Sequence, residues 1–302
     1  MRGRARPDLA RLAPLLLELR GAWRDRALDS DPLLFPHRYA APADREVAAF
    51  VAATLAFGRV ASVKASVGKV LDALGPSPAE ALRDAARPPA ALSRFVHRWV
   101  SAADLAAFLR AVGSALRYRG SLAALLLAHD RGGPDYVEAL DGFYAELRER
   151  TAVSPRAVSR GLRFLLPAPA EGGACKRAHL FLRWTVRDGG WDLGLFPRPP
   201  FDAARLLLPL DTHVHRIAGY LGLTRRPVAD LAAAREATAW LARIDAPDPV
   251  SFDWALSRLG ILAECVRDRE QCRCDRCPVR PACRVARRLP AQPPAPRLLE
   301  SA

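Results

Sequence analysis

Lysine is nearly absent from this chain. Only Lys64, Lys69 and Lys176 interrupt a basic complement of 46 residues that is otherwise arginine. A guanidinium does not deprotonate and is no nucleophile, so any side-chain amine chemistry rests on those three positions. Long apolar runs are also missing. No stretch approaches the ~20 residues of a membrane span, which argues against a helical membrane protein. Near the start, Arg2, Arg4 and Arg6 precede Leu15, Leu16 and Leu17, but Asp8, Arg11 and Glu18 break the apolar stretch, so no signal peptide is expected. No β-type alternation persists and no internal repeat is visible, which argues against sheet-built and solenoid folds. Outside one segment the single cysteine is Cys175, and a chain of 302 residues buries an adequate core without disulfide staples. A cytoplasmic setting with reduced thiols is expected.

What is present points two ways, to a polyanion and to a metal. The formal charge is +14 and the pI about 10.5. Phosphate backbones reward such charge by releasing counterions, so nucleic acid is the expected partner; an arginine- and alanine-rich composition alone is the alternative. The other five cysteines fall between Cys265 and Cys283. The interval Cys274-x2-Cys277-x5-Cys283, preceded by Cys265, has the form of a four-thiolate site. Zinc and iron–sulfur centres both take four thiolates, and the cysteines alone do not decide between them.

Apolar residues recur at helical spacing almost throughout, and an all-α fold of many short helices is expected. Leu9, Leu12, Leu16, Leu19 and Trp23 predict an amphipathic first helix with a kink at Pro14. Further helices are predicted over Glu46–Phe57, Ala61–Leu74, Ala102–Leu116, Leu122–His129, Tyr136–Leu147, Lys176–Val186, Thr212–Leu221, Val228–Ile244 and Val250–Leu262. Between them lie turns rich in glycine and proline. The proline-rich tail after Arg288 is expected to be disordered.

Two residues stand out chemically. Lys176 opens the segment KRAHLFLRWTVR after a loop containing Gly172 and Gly173. A cation at a helix N-terminus opposes the macrodipole, so Lys176 is either a solvated lysine, a phosphate contact or a candidate nucleophile. Asp211 opens the helix that begins Thr212-His-Val-His-Arg216. It is an expected N-cap, and capping also keeps a carboxylate ionised and aimed, which suits charge stabilisation. Along that helix Val214, Ile217, Ala218 and Leu221 form the predicted buried stripe, with Thr212, His215 and Arg216 off it. His213 and His215 are not spaced as a metal pair on one helical face.

The segment LDTHVHR, followed about fifty residues later by the cysteines, resembles the endonuclease III branch of the helix-hairpin-helix DNA glycosylases. The last three ligands of that family's C-x6-C-x2-C-x5-C iron–sulfur loop match Cys274, Cys277 and Cys283. The stretch from Asp44 to Gly75 is similar to the family's early helix pair. The phrases DPLLFPHRY, KRAHLFLRW and DPVSFDWALSRLGI resemble a bacterial family of uncharacterised proteins. The chain departs from the glycosylase pattern in two places. Eight residues separate Cys265 from Cys274, with Cys272 as an alternative ligand, and a longer loop replaces the compact Leu-Pro-Gly-x-Gly hairpin. Lys176 precedes Asp211 by thirty-five positions, nearer the spacing of the archaeal 8-oxoguanine glycosylases.

The resemblance implies a two-lobed helix-hairpin-helix fold. Its expected parts are an N-terminal helix (1–43) on the C-terminal lobe, a helical barrel lobe with the hairpin (44–187), a second lobe carrying Asp211 (188–264), a cluster loop (265–288) and the tail (289–302). It implies a monomer acting on double-stranded DNA with a damaged base, associated with the nucleoid and not with a membrane. The implied reaction is N-glycosidic bond cleavage, with Asp211 stabilising the sugar cation. Lys176, if in place, supplies a Schiff-base lyase step; otherwise water attacks. A [4Fe–4S] cluster on Cys265, Cys274, Cys277 and Cys283 is implied, with structural zinc as the alternative. DNA contacts are expected from Gly172, Gly173, Arg59, Arg276 and Arg280, and from the other loop arginines Arg267, Arg269 and Arg273. Phe57 is placed beside Arg59 in the strand-probing loop. Trp184, Trp191 and Phe196 are either stacking residues or core. A non-catalytic DNA-binding or structure-sensing protein on the same scaffold, or an RNA-directed enzyme, are the competing readings.

Overall fold

The structure is a computed structural model that describes residues 6–22, 28, 31–84, 89–261, 265–266, 268 and 271–286. Helices dominate, as the periodicity predicts. In chain order they are α1 (Leu9–Ala22), α2 (Pro42–Thr54), α3 (Val60–Leu74), α4 (Pro78–Asp84), α5 (Ala102–Arg119) and α6 (Leu122–Ala128). They continue as α7 (Val137–Arg150), α8 (Arg160–Leu165), α9 (Lys176–Val186), α10 (Thr212–Leu221), α11 (Leu231–Ala242) and α12 (Asp253–Ile261). Two short antiparallel ladders join them, β1 (Val96–His97) with β2 (Val100–Ser101) and β3 (Asp188–Gly189) with β4 (Asp192–Leu193). Among the described residues no helix is long and apolar enough to cross a membrane.

The chain divides into two compact units that are discontinuous in sequence. One comprises Met1–Arg26, Gly172–His179 and Ala203–Ala302; the other comprises Ala27–Glu171 and Leu180–Asp202. In the first unit, Leu12, Leu16 and Leu19 are fully buried on one face of α1, the stripe that their spacing predicts. Leu12, Leu16 and Leu19 join Leu210, Val214, Ile217, Leu221, Leu241 and Leu256 in one core, with α1 packed against α12. Cys265, Cys277 and Cys283 pack partly buried against that core. Trp23 and the tail after Arg288 lie outside the described residues.

The second unit is centred on Phe50 of α2. Its ring meets Phe181, Phe108 and Phe143 at centroid distances of 4.9, 5.4 and 5.5 Å. Such clustered rings add directional contact to the apolar area they bury. Two acids on α2 cap other helices. Asp44 accepts the N–H of Ala79 at the start of α4, and Glu46 accepts those of Leu122 and Ala123 at the start of α6. Burial pushes Glu46 above the ordinary carboxylate range despite those hydrogen bonds. Gly113 lets α5 approach α4 closely, since a Cβ there would meet the Leu82 carbonyl oxygen at 2.1 Å. Trp184 and Phe196 are 1% and 3% exposed, which makes them core residues of this unit.

Candidate active site

Asp211 caps α10, as its position predicts. Its Oδ1 accepts the backbone N–H groups of His213 and Val214, each at 2.8 Å. That leaves Oδ2, which accepts a hydrogen bond from Lys176 Nζ at 2.8 Å. One oxygen therefore anchors the helix and the other faces the amine. The approach to the cap is fixed by buried Leu208, whose N–H donates to Thr238 Oγ1 at 2.9 Å. Burial tends to raise the Asp211 pKa, but the Lys176 charge and hydrogen bond, with the Val214 N–H, hold it below the ordinary carboxylate value. The Lys176 and Asp211 side chains remain 31% and 24% exposed, so the pair is open to a reactant.

Lys176 is the first residue of α9, and both it and Asp211 belong to the first unit. The loop before it is tied down by backbone. Gly172, at φ 89°, accepts the Leu231 N–H through its carbonyl at 2.9 Å, and Gly173 forms an antiparallel bridge with Asp230. The glycine pair thus fastens the start of α9 to the start of α11. Cys175 is held at φ 39°, a left-handed conformation that non-glycine residues adopt at a cost of ~1 kcal/mol or more, and such strain gathers at functional sites.

The buried stripe of α10 is Val214, Ile217, Ala218 and Leu221, as predicted. His213 is exposed and its Cβ lies against Gly260, where an added Cβ would approach to 2.8 Å. The His215 Nε2 meets the Arg226 carbonyl at 3.0 Å. Arg216 has a role that its off-stripe position does not reveal: its guanidinium donates to the Cys265 carbonyl. Its Nε is buried without a hydrogen-bond partner among the described residues. No local sequence signal separates this arginine from the many on the surface.

Cys265, Cys272, Cys274, Cys277 and Cys283 all line one cavity, together with Ile217, Tyr220 and Leu259. Burial is the main force on Cys265, Cys274 and Cys277, followed for Cys265 and Cys274 by the neighbouring Cys272. Cys265 and Cys277 are pushed up to about 12 and Cys274 to about 11. Thiols in an apolar wall are the donor type that soft metals take, and a metal's charge would offset the cost of burying thiolates there. As arranged, no three His, Cys, Asp or Glu side chains among the described residues close to a metal-holding group. Cys272 differs from the rest: it is 5% exposed and its thiol lies 3.5 Å from the Val266 carbonyl and 3.6 Å from that of Asp268. Arg276 and Arg280 on this loop are half-buried, Arg273 is exposed, and Arg267 and Arg269 lie outside the described residues. Arg59, exposed at the start of α3, belongs to the second unit.

No curated protein and no solved structure matches the chain. A match to a protein family covers residues 31–262, which include Lys176 and Asp211 and end before Cys265. Because that match spans more than half of the sequence, the chain belongs to the family described as Protein of unknown function (DUF2400).

Proposed function

We propose that this protein is a DNA base-excision glycosylase with a helix-hairpin-helix, two-lobed fold, and that Lys176 gives it a Schiff-base lyase step. The observation that carries the reading is the 2.8 Å contact between Lys176 Nζ and Asp211 Oδ2. Residues thirty-five positions apart meet there, as a nucleophile and its charge-stabilising partner must. Asp211 Oδ2 takes the proton that the ammonium has to lose and passes it to the base as it departs, which restores the carboxylate. The neutral amine then attacks C1′ of the sugar, the N-glycosidic electron pair leaves with the base, and the Asp211 carboxylate offsets positive charge developing on the sugar. Ring opening gives the imine, from which β-elimination breaks the strand. A base reached in this way has to leave the helical stack, so a monomer acting on double-stranded DNA with a damaged base is the implied form. The +14 charge supports a nucleoid-associated, cytoplasmic enzyme.

Cys265, Cys274, Cys277 and Cys283 would hold a [4Fe–4S] cluster, or a structural zinc. With all four positions taken by protein, the group would supply loop rigidity and no reaction chemistry. The loop would then carry Arg276 and Arg280 to DNA phosphates, as Arg59 would from α3. Gly172 and Gly173 would offer backbone N–H groups beside the lysine.

The test is borohydride reduction on duplexes containing abasic sites or oxidised purines. A covalent protein–DNA adduct is expected. If a broad lesion panel yields neither adduct nor released base while the protein still binds DNA, the silent-scaffold reading replaces this one.

A further inference from the structure

The second unit displays a surface that packing does not account for. The turn joining β1 to β2 has only two residues, Arg98 and Trp99. Arg98 sits at φ 54°, where glycine is at ease and arginine is strained. The turn is nevertheless held firmly. His97, 2% exposed, joins the Phe57 carbonyl through Nε2 at 3.0 Å and Ser66 Oγ through Nδ1 at 2.9 Å. Gly58 leaves room for the Arg98 stem, since a Cβ there would lie 3.2 Å from Arg98 Cδ.

What this turn presents is aromatic and cationic. Trp99 is 37% exposed, and its ring packs on Phe57 and Phe164 at 5.4 and 4.9 Å. The guanidiniums of Arg98 and Arg160 lie over the same ring, 4.9 and 5.4 Å from its centroid. Arg59, also exposed, follows Gly58 directly. Among the described residues none of these three arginines has an acidic partner. Cations left unpaired around a half-open indole complement a partner that offers both negative charge and flat π faces. An unpaired nucleic-acid strand has both, whereas a duplex hides its base faces in the stack.

We propose that the Arg98–Trp99 turn, with Phe57, Phe164, Arg59 and Arg160, is a docking surface for an unpaired stretch of DNA. A base stacks on the Trp99 and arginine planes, and flanking phosphates meet the guanidiniums. The choice of DNA rests on the glycosylase reading; the stacking surface itself does not use Lys176 or Asp211.

The test is fluorescence anisotropy of the full chain with a dye-labelled oligothymidylate, competed by unlabelled duplex DNA or by the matching RNA. Trp99→Ala should weaken binding roughly 5- to 150-fold, the range for loss of one stacked base, while Trp99→Phe stays close to the parent. Arg98→Ala with Arg160→Ala should lower the slope of log affinity against log salt by about 1.4 for two lost single-strand phosphate contacts. Arg98→Gly discriminates between binding and folding roles. It removes the cation and the strain, so binding should weaken while the melting temperature holds or rises. Unchanged affinity in Trp99→Ala, an equal loss of affinity for the duplex in that variant, or a preference for the RNA competitor overturns the proposal. If the parent forms no borohydride adduct and releases no base, yet Trp99→Ala loses affinity for the single strand, the catalytic reading fails and this one stands. If the parent forms the adduct and Trp99→Ala binds unchanged, the docking surface fails and the catalytic reading stands.

Discussion

Asp211 carries two separable duties, and a pair of substitutions pulls them apart. Asparagine caps a helix about as well as aspartate, so Asp211→Asn should keep the hydrogen bonds to His213 and Val214 and lose only the charge facing Lys176. Alanine loses both. The cap is worth ~1 kcal/mol, and an ion pair with side chains about one-quarter to one-third exposed adds up to ~1 kcal/mol. At ~2–4 °C per kcal/mol for a domain of this size class, Asp211→Asn should melt up to ~4 °C low and Asp211→Ala ~2–8 °C low. Base release should behave differently. Removing a preorganised charge costs ~10²–10³ in rate, so both variants should be nearly inactive in single-turnover base release although their stabilities differ. Asp211→Asn that releases base at the parent rate removes Asp211 from the mechanism. Equal melting temperatures for the two variants would refute the capping role.

Other parts of the molecule offer three more tests. Glu146 receives hydrogen bonds from Arg119, Arg150 and His129, and chiefly the Arg119 bonds pull its pKa from the ordinary 4.5 to about 2. A depressed carboxylate stabilises the fold fully above its unfolded value, so melting temperature should fall as pH drops from about 4.5 toward about 2. In Glu146→Gln that part of the acid dependence should disappear, and an unaltered profile between the two proteins would contradict the assignment. Phe50→Ala, at the centre of four ring contacts, should cost ~3–5 kcal/mol by chemical denaturation; a loss under ~1 kcal/mol would show that the unit's core lies elsewhere. Purified protein should carry iron or zinc by elemental analysis, retained in Cys272→Ser and lost in Cys277→Ser; loss in Cys272→Ser would move it into the ligand set.

Local pattern makes much of the fold legible. The predicted spans of α9 and α10 coincide with the observed helices, because each opens on an unambiguous boundary and carries one clear apolar stripe. Boundaries shift where a single side chain decides them. Apolar spacing predicts a start at Val228 for α11, but Asp230 caps Ala233 at 2.7 Å and the helix begins at Leu231. Pro42 at the first position of α2 moves its start ahead of the expected Glu46. The short helices α4 and α8 escape the pattern because they carry few apolar residues, whereas the leucine-rich α6, no longer than α4, is caught. Long-range satisfaction is invisible as well: nothing near Glu46 announces that it caps a helix 76 residues later. Residue chemistry and a resembling motif single out Lys176 and Asp211 one by one, but their contact is a tertiary fact that neither segment announces. The Arg98–Trp99 turn leaves no such trace, because two-residue strands are too short to alternate.

If one lysine forms the covalent link to DNA, the scarcity of lysine makes that link directly traceable. The borohydride-reduced adduct should be digested and its cross-linked peptide identified by mass spectrometry. Among Lys64, Lys69 and Lys176, the modification is expected at Lys176 alone, with no adduct in Lys176→Ala. A cross-link at Lys64, at Lys69 or at the chain's amino terminus, persisting in Lys176→Ala, would contradict the proposed chemistry.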